Sequence, residues 1–172
     1  MKKNLIRSIV STVMAVLLLC SALAFTACDS DNVKIKDDVA ISALVAAAKG
    51  QIPNDEGYVS VDSDYFEFNF EALPAFKEAD VFIASNSSAN LNEVGIFHFS
   101  SADDAKNGEQ SVKNYLVAKD ESFRNSINYT PNEYPKIENA KTKVIGNYVV
   151  YTILTAEDGA KVIDAIEAQL AE

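Results

Sequence analysis

The sequence predicts an α+β domain built on an antiparallel sheet, and three observations carry this. Residues 79–100 and 140–154 each hold two β-rich runs followed at once by a capped amphipathic helix, so strand, strand, helix occurs twice. The second pair of runs meets at Gly146-Asn147, a two-residue hairpin signal. The helical segments carry an apolar stripe and are not apolar all round, so each has one face to bury. The expected sheet has four strands, at 79–85, 93–100, 140–145 and 148–154, with helices mainly on one face and a further N-terminal helix.

Residues 1–27 read as a secretory signal. Lys2, Lys3 and Arg7 precede an apolar run from Ile9 to Leu19, and small residues follow. That run is shorter than the roughly 20 residues that a stable spanning helix needs. Phe25-Thr26-Ala27-Cys28 resembles a bacterial lipobox, an apolar residue and two small ones before a cysteine. The resemblance implies cleavage before Cys28 and acylation of its sulfur, with each buried methylene contributing about 0.8 kcal/mol to membrane attachment. A disulfide is disfavoured because the other cysteine, Cys20, lies within the signal. A metal site is disfavoured because the chain holds a single histidine, His98. The expected organisation is a signal at 1–27, a lipid-anchored tether at 28–36 and one α+β domain at 37–172. The expected location is the extracytoplasmic face of the cell membrane.

Removal of residues 1–27 leaves 12 basic against 25 acidic side chains, a net charge of −13. Such a surface repels nucleic acid and anionic headgroups, so no nucleic-acid partner is expected.

The domain elements follow in order. Asp37 or Asp38 is placed to cap a helix with Ile41, Leu44, Val45 and Ala48 on one stripe, ended by Lys49 and Gly50. "QIPNDEG" is a turn cluster. "DYFEFNF" fits a strand or a helix; short helical turns across 63–78 are expected, limited by Pro74. Residues 79–85 and 93–100 are strands. Ser101 caps the next helix with Asp104 three residues on, and Ala105, Gly108, Val112, Tyr115, Leu116 and Phe123 form its inner face. Gly108 there would let the helix lie close to the sheet. Thr130, Pro131 and Glu133 fit the cap and first turn of a short helix that Pro135 ends. The hairpin 140–154 leads to a last helix, capped by Thr155 with Asp158 and striped with Val162, Ile163, Ile166 and Leu170. "FSSADDAK" and "LTAEDGAK" echo each other, but the likeness stops inside the helices, which favours convergence over duplication.

"NEVGIF", "GNYVVY" and "TPNEYPKIENA" together resemble a small DUF-type lipoprotein family of Gram-positive bacteria, whose function is unknown. The likeness runs over roughly 37–170. It implies a lipid-anchored α+β domain outside the cytoplasmic membrane, and it transfers no catalytic residue.

No constellation of residues reads as catalytic. His98 lacks an identifiable nucleophile to activate. Asp29-Ser30-Asp31 and Asp62-Ser63-Asp64 lack the glycine and distant glutamate of a calcium loop. Asp103-Asp104 and Glu157-Asp158 are explained by capping and the helix dipole. No enzyme activity, metal or cofactor is expected. The expected role is a non-enzymatic lipoprotein, attached to the membrane through lipid on Cys28, that binds a protein or cell-wall partner. The alternative is a small ligand-binding module associated with a membrane transporter. Both sides of 93–100 and 148–154 are apolar, so both faces of the sheet call for cover. Either residues 37–78 cover the second face, or part of it stays open as a partner-binding patch anchored by Tyr148 or Tyr151.

Overall fold

A computed structural model describes residues 34–53, 57–124 and 131–172. Five helices and five strands alternate in it: α1 (Ile41–Lys49), β1 (Tyr58–Ser60), α2 (Ser63–Asn69), β2 (Phe76–Ala84), β3 (Glu93–Phe99), α3 (Ala102–Arg124), α4 (Tyr134–Glu138), β4 (Lys141–Ile145), β5 (Tyr148–Ile153) and α5 (Ala156–Leu170). The strands form one antiparallel sheet in the order β1-β2-β3-β5-β4. The α+β class and the four expected strands are present. The fifth strand, β1, was not expected, because three residues give too short a run for alternation to show.

The expectation that helices lie mainly on one face is corrected. Ile41, Leu44, Val45 and Ala48 of α1 and Val162, Ile163, Ile166 and Leu170 of α5 pack on Phe82, Val94, Ile96, Tyr148 and Val150. Phe70 after α2, Ala105, Val112 and Tyr115 of α3 and Ile137 of α4 pack on Val81, Phe97, Phe99, Val149, Tyr151 and Ile153 from the other side. Every residue of β3 and β5 is therefore buried. Each fully buried aliphatic or aromatic side chain contributes about 1.5–3 kcal/mol, so this double cover supplies most of the cohesion. The edge strand β4 keeps Lys141 and Lys143 exposed, which discourages pairing with another sheet.

The helices of the two echoing segments go to opposite faces because of strand parity. The cap Ser101 follows Phe99 by two residues, and Phe99 faces α3. The cap Thr155 follows Leu154 directly, and Leu154 faces α5. Successive strand residues point to opposite faces, so this one-residue difference selects the face. A two-fold axis relating antiparallel β3 to β5 would leave both helices on one face, so their placement supports convergence.

Both capping pairs form as expected, with Asp104 N–H donating to Ser101 Oγ at 3.1 Å and Asp158 N–H to Thr155 Oγ1 at 3.1 Å. Gly146 turns the β4–β5 hairpin with φ 57°. A Cβ on Gly108 would lie 2.2 Å from the Phe99 ring, so this glycine does allow close helix–sheet approach.

Four local readings change. Neither Asp37 nor Asp38 caps α1: Ala40 is its N-cap, and Ile41 N–H donates to Glu78 Oε2 at 3.3 Å. Glu78 reaches α1 because a bulge between Phe76 and Glu78 turns Phe76 toward α2 and Glu78 toward α1. The helical turns expected across 63–78 stop at Asn69, and β2 starts at Phe76. The short helix expected after Thr130 begins later, with Glu133 as N-cap and Pro135 in its first turn, where the missing N–H costs nothing. Thr130 lies outside the described residues, as do residues 28–33 of the expected tether. Residues 34–36 belong to the domain: Ile35 bridges to Ala171, and Lys36 N–H donates to Leu170 O at 2.8 Å.

Candidate functional site

The most unusual feature of the domain is a buried carboxylate. Glu93 opens β3, shares strand parity with Gly95 and Phe97, and is 2% exposed. Gly95 makes its surroundings possible. A Cβ there would lie 2.0 Å from the Tyr151 ring, so the absent side chain is the slot in which that ring lies. Tyr151 then donates its hydroxyl to Glu93 Oε1 at 2.5 Å. Tyr115, on the inner face of α3, donates to the same oxygen at 2.6 Å. One turn later Lys119 forms an ion pair with Glu93 Oε2 and donates to Tyr115 Oη at 2.6 Å. From α2, Tyr65 reaches Tyr115 Oη at 2.7 Å and Glu93 Oε1 at 3.3 Å. Asp62 fixes α2 by accepting the Tyr65 N–H at 3.3 Å.

The proton count closes. Tyr115 gives its one proton to Glu93 and accepts from Lys119 and Tyr65. Each carboxylate oxygen has a donor, and the charge is paired, as burial requires. Burial, and then the Glu93 charge, pushes the hydroxyls of Tyr65, Tyr115 and Tyr151 well above their ordinary range. All three therefore remain donors. With its acid and base committed to each other, the cluster ties α2, α3, β3 and β5 together.

The cluster borders open space through Tyr65 and Lys119. Two clefts, each about 260 Å³, share Tyr65 and Lys119 as a common wall. One runs beneath the β2–β3 loop past Ser87, Asn90, Leu91 and Asn92. The other runs between α2 and α3 past Phe68, Asn69, Ala118 and Ser122. The loop is held in place by Glu133, whose Oε2 accepts the Leu91 N–H at 2.8 Å and pairs with Lys136 at 2.6 Å. Lys136 in turn donates to Asn90 Oδ1 at 3.1 Å. Phe68, at the rim, is 86% exposed. A third, shallow hollow of about 500 Å³ lies beside Phe66, Leu73 and Phe76, where Ala72 takes a left-handed φ of 55°.

Tyr148 and Tyr151 are corrected as partner anchors. Both are 0% exposed, because helices cover both faces of the sheet. Tyr148 stacks on His98 at 4.3 Å between ring centroids and donates to Val39 O at 2.9 Å. Tyr151 serves Glu93 instead. His98 is buried on the α1/α5 face, away from the Glu93 cluster, so sequence proximity to Glu93 does not bring the two together. Asp62, Asp104 and Asp158 act as cap residues or cap partners. Among the described residues no three His, Cys, Asp or Glu side chains gather as a metal site. Cys28 lies outside the described residues.

Glu93, Tyr65 and Lys119 were not singled out by sequence reading, and Tyr115 was read only as core. A usable signal existed. A charged residue opens an otherwise apolar central strand with glycine two positions on, and Tyr115 and Lys119 stand at i, i+4 on one helix.

The chain belongs to the family described as Domain of unknown function (DUF4358), whose model matches residues 59–154. That span holds β2 to β5, β1 but for Tyr58, and every member of the Glu93 cluster, while α1 and all of α5 lie outside it. No curated protein and no solved structure matches the chain.

Proposed function

We propose that this chain is a lipid-anchored, extracytoplasmic, non-enzymatic binding module for a protein or cell-wall component, engaged at the paired clefts beside Glu93. The carrying observation is the placement of Phe68, 86% exposed, on the rim of a cleft whose floor is a satisfied and rigid polar cluster. Exposed aromatic anchors beside fixed polar groups are what recognition surfaces use. The Phe25-Thr26-Ala27-Cys28 segment supports the anchor. Each cleft is slightly below the roughly 300–1,000 Å³ of an enclosing small-molecule pocket. An extended occupant lying across both therefore fits better than a small solute for a transporter.

Two measurements test this reading. Full-length protein should partition with membranes and gain lipid mass, whereas Cys28→Ser should accumulate as an unlipidated precursor; equal lipid labelling of both would refute the anchor. Crosslinking in intact cells should link tagged full-length protein to a protein or wall fragment. Phe68→Ala should abolish that link with membrane partition unchanged, and a link that persists would refute the cleft as the binding surface.

A further inference from the structure

Resting on that reading, we infer that the paired clefts bind an uncharged glycan strand, with Phe68 as the stacking platform and Lys119 as the central hydrogen-bond donor. Three observations converge. The Phe68 ring is almost wholly exposed at the end of α2, beside a cleft and not over the core. An aromatic face carries negative potential, and its natural complement is the weakly positive C–H face of a sugar ring. The groups around it are mixed hydrogen-bonders. Asn69 gives an amide hydrogen to Tyr65 O at 2.9 Å, which leaves its carboxamide oxygen to accept from a ligand. Ser122 and Asn90 also line the two clefts, with Asn90 Oδ1 already accepting from Lys136 and from the Asn92 N–H.

Lys119 joins the clefts. Two of its three N–H donors go to Glu93 and Tyr115, and its side chain is 23% exposed, so the third N–H is the one a ligand can take. Because Glu93 neutralises it, the site offers a donor without net charge. This selects hydroxyl and amide oxygens over carboxylates and phosphates. The net charge of −13 after removal of residues 1–27 acts the same way at longer range, since it repels polyanions. A nucleobase could also stack on Phe68, but its phosphates would meet that repulsion. A purely apolar peptide would leave the Asn69 carboxamide oxygen and the third Lys119 N–H unpaired on binding, at a cost per buried group of about 1–3 kcal/mol.

The test is calorimetric titration of the full-length chain in detergent micelles with the tetrasaccharide of β-1,4-linked N-acetylglucosamine, and in parallel with cellotetraose. Saturable binding of either sugar is expected. Binding of both assigns recognition to ring hydroxyls, and binding of the acetamido sugar alone assigns it to the acetamido group, met by the Asn69 carboxamide and Lys119. Phe68→Ala should weaken binding about tenfold, with the thermal midpoint unchanged because its ring is outside the core. Asn69→Ala should weaken it less. No binding of either sugar at millimolar concentration overturns the inference, as does binding that Phe68→Ala leaves intact. Phe68-dependent crosslinking to a protein without sugar binding would also overturn it, while preserving the proposed function. Lipid labelling of Cys28 is read separately, so failure of the anchor cannot be confused with failure of the glycan site.

Discussion

The two faces of the sheet are covered to the same depth by different physics. On the α1/α5 face, aliphatic stripes from two helices meet Val94, Ile96 and Val150. Its polar groups meet backbone singly, as Tyr148 does at Val39 O, and among the described residues His98 Nε2 and Thr152 Oγ1 have no hydrogen-bond partner. On the α2/α3 face, aromatic rings pack edge-on, tilted and stacked around Phe97 and Phe70, and at one end four polar side chains close a network on Glu93. Dispersion and burial are non-directional, so the first face can adjust to small changes. A buried carboxylate network has no such tolerance, because every member supplies another's hydrogen bond. The rigid face is also the one bordered by the two clefts beside Lys119, and it lies wholly inside the family match.

The largest expected effect tests this contrast within one strand. Glu93→Ala removes the acceptor of the Tyr115 and Tyr151 hydroxyls and the counter-charge of Lys119, and should cost about 3–5 kcal/mol in denaturant unfolding. Ile96→Val, on the opposite face of β3, removes one methylene from hydrocarbon and should cost about 0.5–1.5 kcal/mol. If Glu93→Ala cost no more than Ile96→Val, the network would be incidental and the contrast would fail.

Glycines give the next largest difference. Gly95→Ala drives a methyl into the Tyr151 ring, which is buried and cannot yield without releasing Glu93. Overpacking of this kind costs about 1–3 kcal/mol or more. The Tyr151 ring resonances should shift with it. Gly159→Ala on the other face brings its methyl to 3.0 Å from Thr152 Oγ1, a close contact with a single atom, and gains helix propensity. These terms oppose, so its stability should stay within about 1 kcal/mol of wild type. A Gly95→Ala protein as stable as Gly159→Ala would show that the slot can widen.

What the sequence disclosed and what it withheld divide along the same line. Periodicity disclosed β3, β5, α1, α3 and α5, because each buries a regular stripe, and Ser101 and Thr155 disclosed two helix starts. Which face each helix takes was hidden in a one-residue difference between Phe99–Ser101 and Leu154–Thr155, too small to notice without the strand ends. The capping of α1 by Glu78 was hidden because the residues lie 37 positions apart and a bulge brings them together. The Glu93 cluster draws on α2, β3, α3 and β5, and no spacing rule joins such distant positions. Tyr151 was singled out only as an aromatic anchor on a patch left open, and it is buried. Its tip turned out to face inward, to a carboxylate whose burial alternation could not reveal.

The smallest expected effect lies in the pH dependence of stability, where each face governs a different end. Tyr65, Tyr115 and Tyr151 have hydroxyls pushed above 10.0 by burial and then by Glu93. Unfolding lets them ionise near 10.0, so their contribution is complete below that pH and is lost as pH rises beyond it. Tyr148, pushed up by burial on the other face, adds one phenol against three. The acid end belongs to the α1/α5 face. His98 is held below 6.5 by burial first and by Lys77 second, against its hydrogen bond to the Asp37 backbone and the charges of Glu78 and Asp37. Its folded value is depressed, so its contribution is present above 6.5 and is lost as pH falls below that value. Only one group is involved, and surface carboxylates dominate the slope once pH nears about 4. His98→Gln should therefore flatten the stability curve just below 6.5 and leave the alkaline limb unchanged, while Tyr151→Phe should do the reverse. Thermal midpoints measured from pH 5 to 11 separate the two. If His98→Gln changed the alkaline limb as much as the acid one, the faces would be coupled through β3, and the division between an adaptable face and a rigid one would have to be abandoned.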